Sequence, residues 1–373
     1  MQPKKILIAP DSFKGTLSSD QICEIISKSA RAHFPDCKPI SIPIADGGEG
    51  TVDSFLTCVG GKKRRLTAKG PFMEDMESFY GLLDNGYAVI EMAACAGLPL
   101  VEGRKDPLTS TTYGVGQLIL DAINQGAKKI ILGLGGSATN DGGCGAAAAC
   151  GVKFYGADGQ SFIPTGGTLA DIRRIEVATL PTSQIEIRAM CDINNPMYGS
   201  QGAAYIFGPQ KGADADDIVL LDEGLRHLDT MIKRDLGQHV ADIPGAGAAG
   251  AMGAGMMAFF SAALQMGIEV VLDTVNFDDL LDDADLVITG EGSFDHQSLG
   301  GKAISGIARR AKKKSVPVIV ITGGAEELPE AYDIGVTAIF TINRLPVDLS
   351  VSKSKSADNL KATIDNVFRL LNV

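Results

Sequence analysis

A chain of 373 residues with 45% apolar and 21% charged residues has ordinary globular composition and room for two domains. Its formal net charge of −11 argues against nucleic-acid binding, which needs a basic surface. Seven cysteines without a C-x-x-C pair, and only four histidines, argue against structural zinc and for reduced thiols in a cytoplasmic chain. The apolar run at the start is too short for a signal peptide. Residues 243–268 carry no charge and are long enough to span a bilayer, but Gly and Ala dominate them. A buried small-residue helix is expected there, and no membrane partner.

In chain order, Lys5 to Ala9 reads as a strand, followed by the turn DSFKGT and a helix from Ser18. Ser18 and Gln21 fit a capping box, and Ile22, Ile25, Ile26 and Ala30 form the apolar stripe. A strand over 39–45 leads through a glycine turn to a helix over Thr51–Val59. From about 62 the pattern becomes short strands separated by turns, which predicts an antiparallel sheet. A helix near 112–125 precedes the strand KKIILGL. Strands are expected at 184–191 and 203–207, and a polar helix over 214–235 with Leu220, Leu221, Leu225 and Leu228 on one face. From about 268 strands and helices alternate to a final helix from Ser356, the pattern of a parallel sheet covered on both faces.

The expected fold class is therefore α/β with two domains. A Rossmann- or flavodoxin-like domain is built from 1–70 plus 270–373, with a mixed α/β domain, 71–269, inserted in it. No internal repeat, heptad or apolar stripe indicates an oligomeric state.

Several loops have the residue types for phosphoryl transfer. IADGGEGT (44–51) and ITGEGSFD (288–295) each follow an apolar strand and place Asp and Glu in a glycine-rich turn. Glycine allows close approach to backbone amides, and neighbouring carboxylates can hold Mg²⁺ with its phosphate oxygens. Asp46 is a candidate general base or metal ligand, with Gly47, Gly48 and Glu49 beside it; a capped helix start is the plainer reading. In the second loop Gly290, Glu291 and Gly292 are phosphate-binding candidates. APDSFKGT (9–16) offers Ser12 and Lys14 at a strand end, where anions bind in doubly wound sheets, although an ordinary loop with an exposed lysine reads the same way. GLGGSATNDGG (133–143) contains a weak dinucleotide fingerprint without its acidic partner; Ser137, Thr139 and Asn140 suit hydrogen bonds to a polar substrate or phosphate. CDINNPMYGSQG (191–202) places Asp192 at a strand end. No Walker A loop is present, and His296 reads as an exposed polar residue.

Together the blocks APDSFKGTLS, PIADGGEGT, GLGGSATNDGG, CDINNPMYGSQGAAYIFGPQKGA, PGAGAAGAMGAG and ITGEGSFDHQSLGGKA span nearly the whole chain. In this order the sequence resembles the type-1 glycerate kinase family. The resemblance implies two α/β domains with the site in the cleft between them. It implies transfer of the ATP γ-phosphate to glycerate with Mg²⁺, the 2-phosphate being the favoured product. It points to Lys14, Asp46 and Asp192 as catalytic residues, Asp192 preferred as base, and to Asp295 and Asp46 as metal ligands. Position 293 is serine where the family pattern carries a basic residue, so Lys302 is the alternative source of charge. A kinase of another small hydroxy acid, an NAD-dependent dehydrogenase and a non-catalytic metabolite-binding protein are the competing readings.

Overall fold

The structure, a computed structural model, describes residues 2–178, 181–300, 302–343 and 349–372. In chain order the strands are β1 (Lys5–Pro10), β2 (Lys38–Ser41), β3 (Gly61–Lys69), β4 (Asp75–Leu83), β5 (Tyr87–Glu91), β6 (Lys129–Gly133), β7 (Lys153–Tyr155), β8 (Ser161–Phe162), β9 (Arg174–Glu176), β10 (Glu186–Met190), β11 (Ala263–Gln265), β12 (Leu286–Phe294), β13 (Val318–Ala325) and β14 (Ala338–Thr341). The chain divides into two compact units, Met1–Ala45 with Thr57–Val59 and Ile268–Val373, and Asp46–Leu56 with Gly60–Gly267.

In the first unit five parallel strands lie in the order β14-β13-β12-β1-β2. Numbered within the unit this is 2-1-3-4-5, the flavodoxin-like order, so the chain reverses direction across the sheet between β1 and β12. The helices Ser19–His33 and Ser356–Leu371 cover one face, packing Ile22, Ile26, Leu360, Ile364 and Phe368 against Ile6 and Ile8. Ser18 caps the first of these helices as its sequence requires: its hydroxyl accepts from Gln21 N at 3.2 Å, and its own N–H donates to the Gln21 side chain at 2.9 Å. Of the expected strand over 39–45, only the part up to Ser41 pairs with β1; beyond it the chain runs on with isolated bonds such as Ile44 N to Pro10 O, 3.0 Å.

The second unit contains the sheet β11-β10-β6-β5-β4-β3. The short strands from residue 61 on pair antiparallel as expected, within a sheet that is mixed as a whole. The pairs β3–β4 and β4–β5 are antiparallel, but the helix Tyr113–Asn124 carries the chain back so that β6 lies parallel to β5, and β10 and β11 continue in parallel. A small antiparallel sheet, β8-β7-β9, was not foreseen.

Residues 203–207 form a helix, Ala203–Phe207, not a strand. Short apolar runs are ambiguous by pattern alone. Here Ala203 and Ala204 are buried while Tyr205 and Ile206 are exposed, two in and two out rather than alternate. The helix Ala215–Leu236 buries Leu221, Leu225 and Leu228, but Leu220 faces outward. The uncharged Gly–Ala stretch is buried as expected, with a helix over Ala248–Phe260 interrupted by left-handed backbone at Ala249, Gly250 and Ala251. Among the described residues no helix is long and apolar enough to cross a membrane.

Candidate active site

In doubly wound sheets ligands bind beyond the carboxyl ends of the strands, where the order reverses. In the first unit that point is the adjoining ends of β1 and β12, which are tied by Asp11 N donating to Gly290 O at 2.8 Å. Lys14 is exposed on the loop after β1, and the backbone of Phe13 and Lys14 lies against Gly292. Gly290 is held by packing: a Cβ there would lie 1.9 Å from the Ile321 carbonyl oxygen on β13. Glu291 is only 8% exposed, and its Oε1 has no hydrogen-bond partner. Burial raises its carboxyl above the ordinary range; a hydrogen bond with Ser298 opposes the rise, and the nearby charge of Asp11 adds to it. Asp295 accepts from Gln297 N at 2.8 Å, and Lys302 donates to the Gln297 side chain at 3.0 Å. Gly301, within the same motif, lies outside the described residues. His296 is exposed, as expected.

The second unit has a pocket of about 240 Å³ at the carboxyl ends of β6 and β10. That is below the roughly 300–1,000 Å³ typical of drug-sized ligand sites and suits a small metabolite. Asp46, Ser137, Asp192 and Lys211 all line it. The loop bearing Asp46 is locked to the turn after β6 by Gly135 N donating to Gly47 O at 2.9 Å. Gly47 has φ +85°, and a Cβ there would meet the Met190 side chain at 3.1 Å, so this approach requires glycine. Asp46 accepts from Gly48 N at 3.0 Å, while Glu49 is exposed and does not line the pocket. Glu91, which the sequence did not single out, accepts from Val52 N at 2.6 Å and so steadies the helix that follows this loop.

Asp192 is exposed at the end of β10 and accepts from Gly267 N at 2.7 Å. Ser137 Oγ lies 3.1 Å from Thr139 Oγ1. Asn140 is fully buried and neither end of its carboxamide has a hydrogen-bond partner; it is not among the pocket-lining residues. Asp141 is also fully buried, accepting from Thr112 N and Oγ1, both at 2.8 Å, and from Gly143 N at 3.1 Å. Lys211 is 2% exposed and donates to Thr139 O at 2.6 Å. Burial depresses its ammonium to about 7, against the pull of Asp141. It stands in the quoted block ending FGPQKGA, where nothing local in the sequence marks its burial. Cys191 also lines the pocket, but burial raises its thiol, which disfavours the thiolate a nucleophile needs.

The fold and these groups together define a class of protein, a two-unit α/β phosphotransferase acting on an alcohol group. The chain belongs to the glycerate kinase family, whose model matches residues 6–372. A glycerate kinase of Bacillus cereus is 44% identical over 97% of this chain and 97% of its own. A glycerate 2-kinase of Escherichia coli K12 is 45% identical over 91% of this chain and 90% of its own. A crystal structure assigned as glycerate kinase 2, from Salmonella typhimurium LT2, superposes with a TM-score of 0.88 at 39% identity, covering 98% of each chain. ATP is the co-substrate that membership of a kinase family implies.

Proposed function

We propose that this chain transfers the γ-phosphate of ATP to the 2-hydroxyl of D-glycerate. The observation that carries the reading is the pocket in which Asp192, Asp46 and Lys211 line a volume suited to a small acid. Asp192, oriented by Gly267 N, accepts the proton of the attacking hydroxyl. Asp46 and the hydroxyl of Ser137 orient the acceptor. A site of amides, carboxylates and lysines needs no covalent nucleophile, because phosphoryl transfer depends chiefly on positioning and charge neutralisation.

On the first unit, Lys14, Gly290, Gly292 and Lys302 are assigned to the nucleotide phosphates. Among the described residues no group of three or more His, Cys, Asp and Glu side chains is placed to hold a metal ion by itself. Mg²⁺ is commonly bound by one or two carboxylates plus substrate phosphates, and the buried, unpartnered Glu291 Oε1 with the nearby Asp295 fits that donor set. When bound, the ion would neutralise charge on the phosphate oxygens.

The test is ADP release from Mg²⁺·ATP with D-glycerate, L-glycerate, other hydroxy acids or no acceptor, with phosphorus NMR of the product. Release with D-glycerate and a 2-phosphate product is expected. Equal release without acceptor, or preference for another hydroxy acid, would overturn the reading.

A further inference from the structure

Lys211 is a buried lysine with little protein to hold a charge on it. Its ammonium has three protons, and among the described residues one acceptor is placed for it, the Thr139 carbonyl. Buried lysines are ordinarily paired with carboxylates, yet among the described residues Lys211 forms no salt bridge, and Asp141 acts on it only through its field. The charged groups around it are few. Asp141 lies on the turn it bonds, and Asp46 and Asp192 share the pocket wall. Lys105, whose backbone adjoins Gly212, is exposed. The helices Ala203–Phe207 and Ala248–Phe260 and the 134–140 turn carry no charged side chain. Lys211 thus lines a metabolite-sized pocket with, among the described residues, no carboxylate in hydrogen-bond contact with it.

We infer that Lys211 binds the carboxylate of the acceptor and takes up a proton as the acid enters, so that the binding unit is the charged lysine with its ligand. This rests on the kinase reading for the identity of the acid. The balance is simple: one proton passes from solvent to Nζ, and no bond to the acid is made or broken. Burial favours the neutral amine, and a carboxylate placed against it favours the charged form. The pocket would then select acids over the corresponding polyols, because a polyol leaves the lysine uncompensated.

The experiment is calorimetric titration of D-glycerate into the full chain at pH 8, in two buffers of different ionisation enthalpy, with glycerol as the uncharged comparison and KM for both substrates measured in parallel. Wild type is expected to take up about one proton per bound glycerate and to bind glycerol at least tenfold more weakly. Lys211→Met, close in volume and apolar, should fold, raise KM for D-glycerate at least tenfold and leave KM for ATP within twofold. Lys211→Arg, charged at every pH used, should retain partial binding but lose the proton uptake. Unchanged glycerate binding in Lys211→Met, proton uptake persisting in Lys211→Arg, or no binding of D-glycerate by wild type would each overturn the inference. Lys211-dependent binding with proton uptake but no ADP release would sustain it and sink the kinase reading instead.

Discussion

Gly47 and Gly135 meet main chain to main chain, the amide of Gly135 donating to the carbonyl of Gly47 at 2.9 Å. Two loops distant in sequence thereby become one wall of the pocket, and no side chain fits between them. A Cβ on Gly135 would lie 2.6 Å from Gly48 Cα. Gly135→Ala is therefore expected to lower stability by about 1–3 kcal/mol, the cost of overpacking, and to reduce activity with it. Gly324→Ala, where a Cβ meets nothing within 4 Å, is the matched control. Denaturant midpoints of the two variants check this, and equal midpoints would show that the loops separate readily.

Asp192→Asn keeps the shape of the side chain and an acceptor for Gly267 N, but it cannot take a proton at neutral pH. Turnover should fall at least a hundredfold, in the range expected for losing a general base, while ATP binding is retained. Single-turnover ADP release together with a nucleotide-binding titration separates the two effects. Near-normal turnover would remove Asp192 from that role.

Local patterns made much of the fold legible. Ser18 and Gln21 announced a cap, the runs at Lys5 to Ala9 and ADLVITG announced strands, and terminal alternation announced a doubly wound sheet, but β12 continues to Phe294 through residues that read as a glycine-rich turn. The order of strands is not a local property, so the switch between β1 and β12 emerged only from the pairing. The same limit explains 203–207, where five residues carry too little periodicity to separate helix from strand. Asp46 and Asp192 were conspicuous as carboxylates at strand ends, and Ser137 because it lies in a glycine-rich turn after a strand. Lys211 was not, because its interest lies in burial, which the packing of other segments creates.

Asp121 joins β3, β4 and the helix Tyr113–Asn124 by accepting from Arg64 Nη2 at 3.1 Å and from Tyr80 OH at 2.7 Å. The Arg64 guanidinium holds its carboxyl below the ordinary range. A depressed carboxylate contributes stability above its unfolded value, near 3.9, and loses it as pH falls through the lower folded value. Asp121→Asn should cost about 1–3 kcal/mol at pH 7, and the gap to wild type should close as pH falls below about 4. Urea midpoints from pH 7 to 3 measure it; a gap that stays constant would mean the charge on Asp121 adds nothing.

Glu291→Gln replaces the carboxylate that holds a buried, unpartnered oxygen with a neutral group of the same shape. If this oxygen serves the metal, the Mg²⁺ concentration for half-maximal ADP release should rise at least tenfold, with KM for D-glycerate changed less than twofold. Titration of Mg²⁺ at fixed ATP reads it directly, and an unchanged Mg²⁺ requirement would remove Glu291 from the donor set.

The depressed ammonium of Lys211 carries a consequence for the protein without ligand. A lysine of folded value about 7 binds fewer protons than the unfolded chain, whose lysines titrate near 10.4, at every pH between the two. Stability of wild type therefore rises with pH across that window, by at most roughly 1.4 kcal/mol per unit from this group, and is insensitive to it below about pH 6. Lys211→Met has no such slope. It loses the bond to Thr139 O, worth about 1 kcal/mol, but is relieved of a buried charge, so its advantage over wild type should be greatest at or below neutrality and shrink steadily toward pH 10. Unfolding midpoints of both proteins from pH 6 to 10 provide the comparison. Parallel profiles would mean that Lys211 keeps its proton in the folded chain, and that the pocket holds a permanent cation.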